Sequence, residues 1–166
     1  MGKNKELDYM INANTMLLKP VRHEKYGTLV YEKGCKFYTM FRPKDYIENA
    51  CLEGGSSYTG RREAVLYSTT YRNKIPIPIF PEKSIIAFPT LSSSHFDCEW
   101  VFLLHVKGYK IVENVIEEPR TQVDFHDGQY EDVTISAYSF KEQMERASYC
   151  NFLFSRVNNH ESYIKM

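Results

Sequence analysis

Short stretches of mixed apolar and polar residues open the chain, and YMINANTMLLK, YGTLVYEK and CKFYTMF each read as a β-strand. Lys33-Gly34 supplies a turn between the last two, so the three predict an antiparallel meander. Pro43 then suits the first turn of a helix. Tyr46, Ile47, Ala50 and Cys51 recur at helical spacing until Gly54 stops the pattern, which predicts a short helix near 43–53. Beyond it, GGSSYTGRREA (Gly54 to Ala64) reads as a loop, and EAVLYSTTYRNK fits a helix or a strand equally well. IPIPIF, with proline at every second position, fits only a sheet edge or an extended segment.

From Ser84 the pattern changes to continuous apolar runs. SIIAF and CEWVFLLHV are too short for amphipathic helices and read as buried strands on either side of PTLSSSHFD. YKIVENVI adds another strand, and Asp127-Gly128 inside TQVDFHDGQYEDVTI predicts a β-hairpin. Ser139 to Glu142 match a capping box, and Phe140, Met144, Ala147, Asn151 and Phe154 fall near one face. A long helix near 139–157 follows. Tyr149, Phe152 and Leu153 make its last turns apolar on a second side, the mark of either deep packing or an oligomer contact. The fold class is therefore α+β, mainly antiparallel strands with the two helices. Residues 1–157 read as one domain and 158–166 as a frayed tail.

Length agrees with this, since 166 residues suit a single domain with a real core. No run approaches the roughly 20 apolar residues of a membrane span, and the start MGKNKELD lacks the apolar core of a signal peptide. Glu6 stands where a myristoylation signal needs Ser or Thr. The expectation is a cytoplasmic protein with no membrane partner. Charge alters the picture more. The 21 basic and 21 acidic residues cancel, but residues 1–110 carry 16 Lys or Arg against 11 Asp or Glu, and residues 111–166 carry 5 against 10. Lys19 to Lys44 alone holds seven basic and two acidic residues. A locally basic face on a neutral molecule is the consequence.

Catalytic patterns fare poorly. Gly55 and Gly60 have the spacing of a phosphate-binding P-loop, but Arg61 and Arg62 stand where that motif needs Lys and then Ser or Thr. Neither Ser56 nor Ser57 has the glycine two residues later that a serine elbow requires. Cys35, Cys51, Cys98 and Cys150 form no Cys-x-x-Cys pair, which favours core thiols over a metal site, although His95, Cys98 and His105 leave a three-dimensional site open. We expect no enzyme, no cofactor and no metal. What remains is two hydroxyl-bearing stretches, GGSSYTGRREA and FPTLSSS, flanking the edge-like KIPIPIF. Hydroxyls and turn amides contact phosphate oxygens, while arginines enter a narrow minor groove. No helix carries the side chains of a major-groove reader.

CLEGGSSYTGRREA, NKIPIPIF, IIAFPTLSSSHFDCEW, LHVKGY and ISAYSFKEQMERA together resemble the competence transcription factor family of Gram-positive bacteria, the ComK type. The resemblance implies an activator of DNA-uptake and recombination genes that binds paired A/T-rich boxes of double-stranded DNA through the minor groove, as dimers or pairs of dimers. It also implies contact with RNA polymerase, removal by an adaptor and a Clp-type protease, and a nucleoid-associated location. Matching positions are Gly55, Ser56, Ser57, Tyr58, Gly60 and Arg61 in the first stretch, and Phe88 to Ser93 in the second. On these we place the DNA contacts: Arg61 and Arg62 in the minor groove, Ser56, Ser57, Tyr58, Thr90, Ser92 and Ser93 on phosphates, Gly60 within the same DNA-binding loop, and Arg72 and Lys74 at the rim. Tyr149, Phe152 and Leu153 are the oligomer contact. The alternatives are a small phosphate-ligand-binding enzyme and a protein-interaction regulator acting through the last helix. Zero net charge demands a concentrated patch, helped by pairing of subunits. The chain also ends at Met166, where some family members continue, so an assembly or degradation signal in such an extension would be missing.

Overall fold

Six antiparallel strands form the central sheet, in the order β3 (Cys35–Thr39), β2 (Thr28–Glu32), β1 (Thr15–Pro20), β6 (Trp100–Phe102), β5 (Ile85–Pro89) and β4 (Ile77–Phe80). The computed structural model describes residues 6–113 and 118–155. The expected meander is β1 (Thr15–Pro20), β2 (Thr28–Glu32) and β3 (Cys35–Thr39), with Glu32 opposite Cys35 across the tight turn. IPIPIF is the far edge, β4 (Ile77–Phe80), where Pro78 pairs with Ile86 of β5 (Ile85–Pro89) and lacks an N–H to offer a further strand. CEWVFLLHV departs from a single long strand. Only Trp100–Phe102 pair, as β6, and a 3-10 turn at Leu103–His105 then hands the chain to a second sheet, β7 (Val106–Ile111), β8 (Thr121–Phe125) and β9 (Tyr130–Val133). The predicted hairpin is β8–β9, with Gly128 at φ +95° in its turn.

The helices correct the sequence reading at two places. α1 (Pro43–Glu53) runs as expected, with Arg42 N donating to Asp45 Oδ2 at 3.1 Å over its first turn. GGSSYTGRREA, however, is not a loop. Only Gly54 to Ser57 connect, and a second helix, α2 (Tyr58–Ser68), starts inside the stretch because Ser57 Oγ accepts from Gly60 N at 2.9 Å. The hydroxyl is a helix cap, and glycine in the first turn does not prevent the helix. α3 (Ala137–Ser155) likewise begins earlier than the Ser139 box, since Ser136 Oγ accepts from Ser139 N at 3.1 Å. Residues 156–157 of the expected helix and the 158–166 tail lie outside the described residues.

The central sheet is covered on both faces. On one side Trp100 meets Tyr58 edge-on, and Tyr9 packs against Phe37 and Tyr46, so α1, α2 and the N-terminal segment form that layer. On the other, Phe88 meets Phe140 of α3, and the small sheet docks beside it. Lys19 Nζ donates to Glu131 Oε1 at 3.1 Å and to Asp132 O at 2.8 Å. Tyr31 donates its hydroxyl to Glu131 Oε2, and Thr134 N donates to Glu99 Oε1 at 2.8 Å. One cation and two carboxylates therefore clamp the two sheets together. No helix among the described residues is long and apolar enough to cross a membrane.

Candidate nucleic-acid interface

Strict alternation of strand direction collects four connections at one end of the central sheet: residues 21–27, 40–42, 69–76 and 90–99. Arg72, Lys74, Thr90, Ser92 and Ser93, which the sequence places in two separate stretches, thus share one end of the molecule. Gln143 of α3 ties two of these connections, its Nε2 donating to Lys74 O and Pro89 O at 2.9 Å each.

The candidate side chains divide into those that face outward and those held by the fold. Ser92 is exposed and its hydroxyl lies 3.1 Å from that of Ser94. Burial holds the Tyr58 hydroxyl above the ordinary phenol range against the opposing pull of the nearby Ser93 hydroxyl, and Lys44 Nζ lies over the Tyr58 ring at 5.1 Å. Ser56 and Arg62 are half-buried, and Ser57 is exposed but engaged as the helix cap. Arg72 is exposed, with Nη1 donating to Tyr71 O at 2.8 Å. Arg61 is different: its Nη2 donates to Gly54 O at 2.7 Å and its Nε is buried without a partner, so the guanidinium is folded back onto the end of α1. Thr90 has no exposed surface, and its hydroxyl accepts from Glu99 N at 3.0 Å. In this arrangement the Thr90 hydroxyl joins β5 to β6. On α3, Tyr149 and Phe152 are exposed and their rings stack at 6.5 Å, with Leu153 half-buried beside them in sequence.

The structure adds basic residues that the motif reading passed over. Phe96 is flanked by two guanidinia, Arg22 at 4.1 Å and Arg42 at 4.0 Å from its ring centroid, each stack worth about 0.5–1 kcal/mol at an exposed site. Arg22, Lys25 and Arg42, with Glu24 as the carboxylate, line an open groove of about 630 Å³. A second groove of about 380 Å³ shares Arg42 and runs past Lys44, Ser93 and Ser94, with Asp45 and Glu48 on its wall. All four of these cations, Arg22, Lys25, Arg42 and Lys44, sit in the charge-dense segment from Lys19 to Lys44, so density of charge was the available signal.

Three of the four thiols are packing groups. Cys51, Cys98 and Cys150 are buried, which pushes their pKa values up to about 11, 11 and 12, and Cys35 is exposed. Among the described residues, no three His, Cys, Asp or Glu side chains cluster in a way that would hold a metal ion.

Comparison with known proteins agrees with the family resemblance. The family model described as ComK protein matches residues 6–158. The chain is 32% identical over 153 residues to the competence transcription factor of Bacillus subtilis (strain 168), covering 92% of this chain and 78% of that protein. No solved structure matches.

Proposed function

The chain belongs to the ComK protein family, and from that premise we propose that it is a competence transcription regulator, an activator that binds double-stranded DNA with the loop-bearing end of its central sheet. The observation that carries the reading is convergence. Hydroxyls of Ser92, Ser93 and Tyr58 and the cations Arg22, Arg42 and Lys44 come from four chain segments to one end of the fold. Phosphate contacts of this kind position a duplex and carry no base code, which fits recognition of A/T-rich boxes by minor-groove shape. Arg62, Arg72 and Lys74 add charge around that end, and the Ser56–Ser57 segment adds hydroxyls at the start of α2. Pairing of subunits through Tyr149, Phe152 and Leu153 would offset the zero net charge by doubling the basic surface. RNA polymerase and an adaptor with a Clp-type protease are the further partners this reading includes.

A salt titration tests the proposal. Binding to an A/T-rich duplex, followed by fluorescence anisotropy, should weaken linearly in log K against log salt, with a slope of about −0.9 per phosphate contact. The G/C-rich duplex should bind more weakly at every salt concentration. Arg62→Ala should reduce the slope by about 1 while leaving the melting temperature unchanged. Salt-insensitive binding would sink the proposal.

A further inference from the structure

Two short loops, each folded around a histidine acceptor, face each other at the loop-bearing end. In the first, His23 Nδ1 accepts from the backbone amides of Lys25 at 3.0 Å and Tyr26 at 3.3 Å. Its neck is closed by Val21 N donating to Gly27 O at 3.1 Å, and Gly27 N donates onward to Thr39 O at 2.9 Å. The rings of His23, Tyr26 and Tyr38 form a ladder at 5.1 and 5.4 Å that braces this loop on β3. In the second loop, His95 Nδ1 accepts from Asp97 N at 3.0 Å, and Phe96 reaches across to the two arginines.

We propose that the groove between these loops seats the sugar–phosphate backbone of double-stranded DNA, with Arg22 and Arg42 as phosphate contacts and Phe96 as the residue that positions both. The inference rests on the DNA-binding reading and deepens it, naming contacts that no motif marked. Two guanidinia each about 4 Å from one ring centroid lie no more than about 8 Å apart. Stacking occupies the faces of the guanidinium and leaves its in-plane N–H edges free for an oxyanion, which is the geometry phosphate takes.

Among the described residues, each arginine gives one of its five donors to a protein partner. Arg22 Nη2 bonds Asp97 Oδ1 at 3.3 Å and Arg42 Nη2 bonds Phe96 O at 3.4 Å, both loosely. The Arg22 side chain is still 72% exposed, so the stack immobilises it without covering it. A long arginine ordinarily loses rotamer freedom on binding, and a stack formed beforehand removes that loss. Charge points to an anion, with three cations against Glu24 in the lining and Asp97 at the rim. The groove is open and its cations come from separate segments, which suits a rod-like polyanion better than a small enclosed one. Through Arg42 it continues into the groove that carries Lys44, Ser93 and Ser94.

The test uses the full chain and the A/T-rich duplex. Arg22→Gln with Arg42→Gln should bind at least tenfold more weakly at moderate salt, with the log–log slope reduced by about 2. Phe96→Leu keeps both charges and should keep most of the slope while losing severalfold in affinity, and Phe96→Tyr should restore it. Melting temperatures of all three variants should stay within a few degrees of the wild type. If the double variant keeps the wild-type slope while Arg62→Ala lowers its own, DNA sits elsewhere and this inference fails alone. If the wild type shows no salt-dependent binding, the DNA-binding reading fails with it. Equal affinity of Phe96→Leu and the wild type would remove Phe96 from its positioning role.

Discussion

Lys19→Met should lower the free energy of unfolding by about 3 kcal/mol at neutral pH, seen as a fall in the urea midpoint with little change in slope. Lys19 stands between Glu99, at 3.7 Å, and Glu131, at 3.1 Å, on the surface where the small sheet docks. Glu99 is only 2% exposed, and its Oε2 accepts no hydrogen bond. Without the ammonium, two carboxylates face each other across the interface, one of them buried. Methionine keeps the length and apolar stem of the side chain, so the loss is electrostatic in origin rather than a cavity.

The pH dependence separates this cause from simple loss of packing. Burial raises the Glu99 carboxyl above its ordinary range against the pull of Thr134 N and Lys19, so its contribution to stability is full at acid pH and is lost as pH rises through the folded value. Glu131 is lowered: its own burial acts upward, but the Tyr31 hydroxyl and Lys19 outweigh it. Its contribution is therefore present above the ordinary carboxylate range and lost as pH falls through the folded value. Removing Lys19 pushes both carboxyls upward, so the deficit of the variant should shrink between pH 7 and pH 5. Adding Glu99→Gln, which keeps the Thr134 acceptor, should recover part of it at pH 7. A deficit that is small at neutral pH, or that grows in acid, would show that the clamp is not electrostatic.

Periodicity made most of the fold legible. The β2–β3 turn, α1 with Pro43 and Gly54 at its ends, the proline-bearing edge strand and the β8–β9 turn all follow from local chemistry and stand where expected. What periodicity could not show was tertiary in origin. α2 was hidden because glycine and hydroxyl residues suit a loop equally well, and only the Ser57 cap bond distinguishes the two. The length of β6 is set by a switch between sheets, which has no local signature. At the candidate interface, composition singled out Arg61 with Arg62, yet it could not tell a guanidinium folded onto a carbonyl from one facing solvent. It likewise ranked Thr90 with Ser92, although only burial separates a strand-pairing hydroxyl from an accessible one. Arg22 and Arg42 are twenty residues apart, and their convergence on Phe96 requires the antiparallel sheet.

Gly54→Ala should cost about 2–3 kcal/mol, an overpacking penalty concentrated at the α1–α2 corner. Gly54 has φ −80°, which alanine adopts freely, so backbone strain contributes nothing. The added Cβ would instead lie 2.6 Å from the Ile79 carbonyl oxygen, 3.1 Å from Phe80 Cδ1 and 3.2 Å from Arg61 Nη2. The nearest of these is backbone in β4 and cannot swing aside. Gly55 is the natural control, because at φ +93° with open space around it, alanine should cost only about 1 kcal/mol, from conformation alone. Arg61→Met should fall between them, near 1.5 kcal/mol, by leaving the Gly54 carbonyl without its charged donor. Combined with Gly54→Ala it should cost less than the sum, since both changes release the same corner. Equal losses for Gly54→Ala and Gly55→Ala would mean the corner yields. A separate DNA titration should divide the two adjacent arginines: on the proposed DNA-binding reading, Arg61→Met should lose affinity only as far as it loses the fold, while Arg62→Ala should lose salt-dependent affinity with the fold intact.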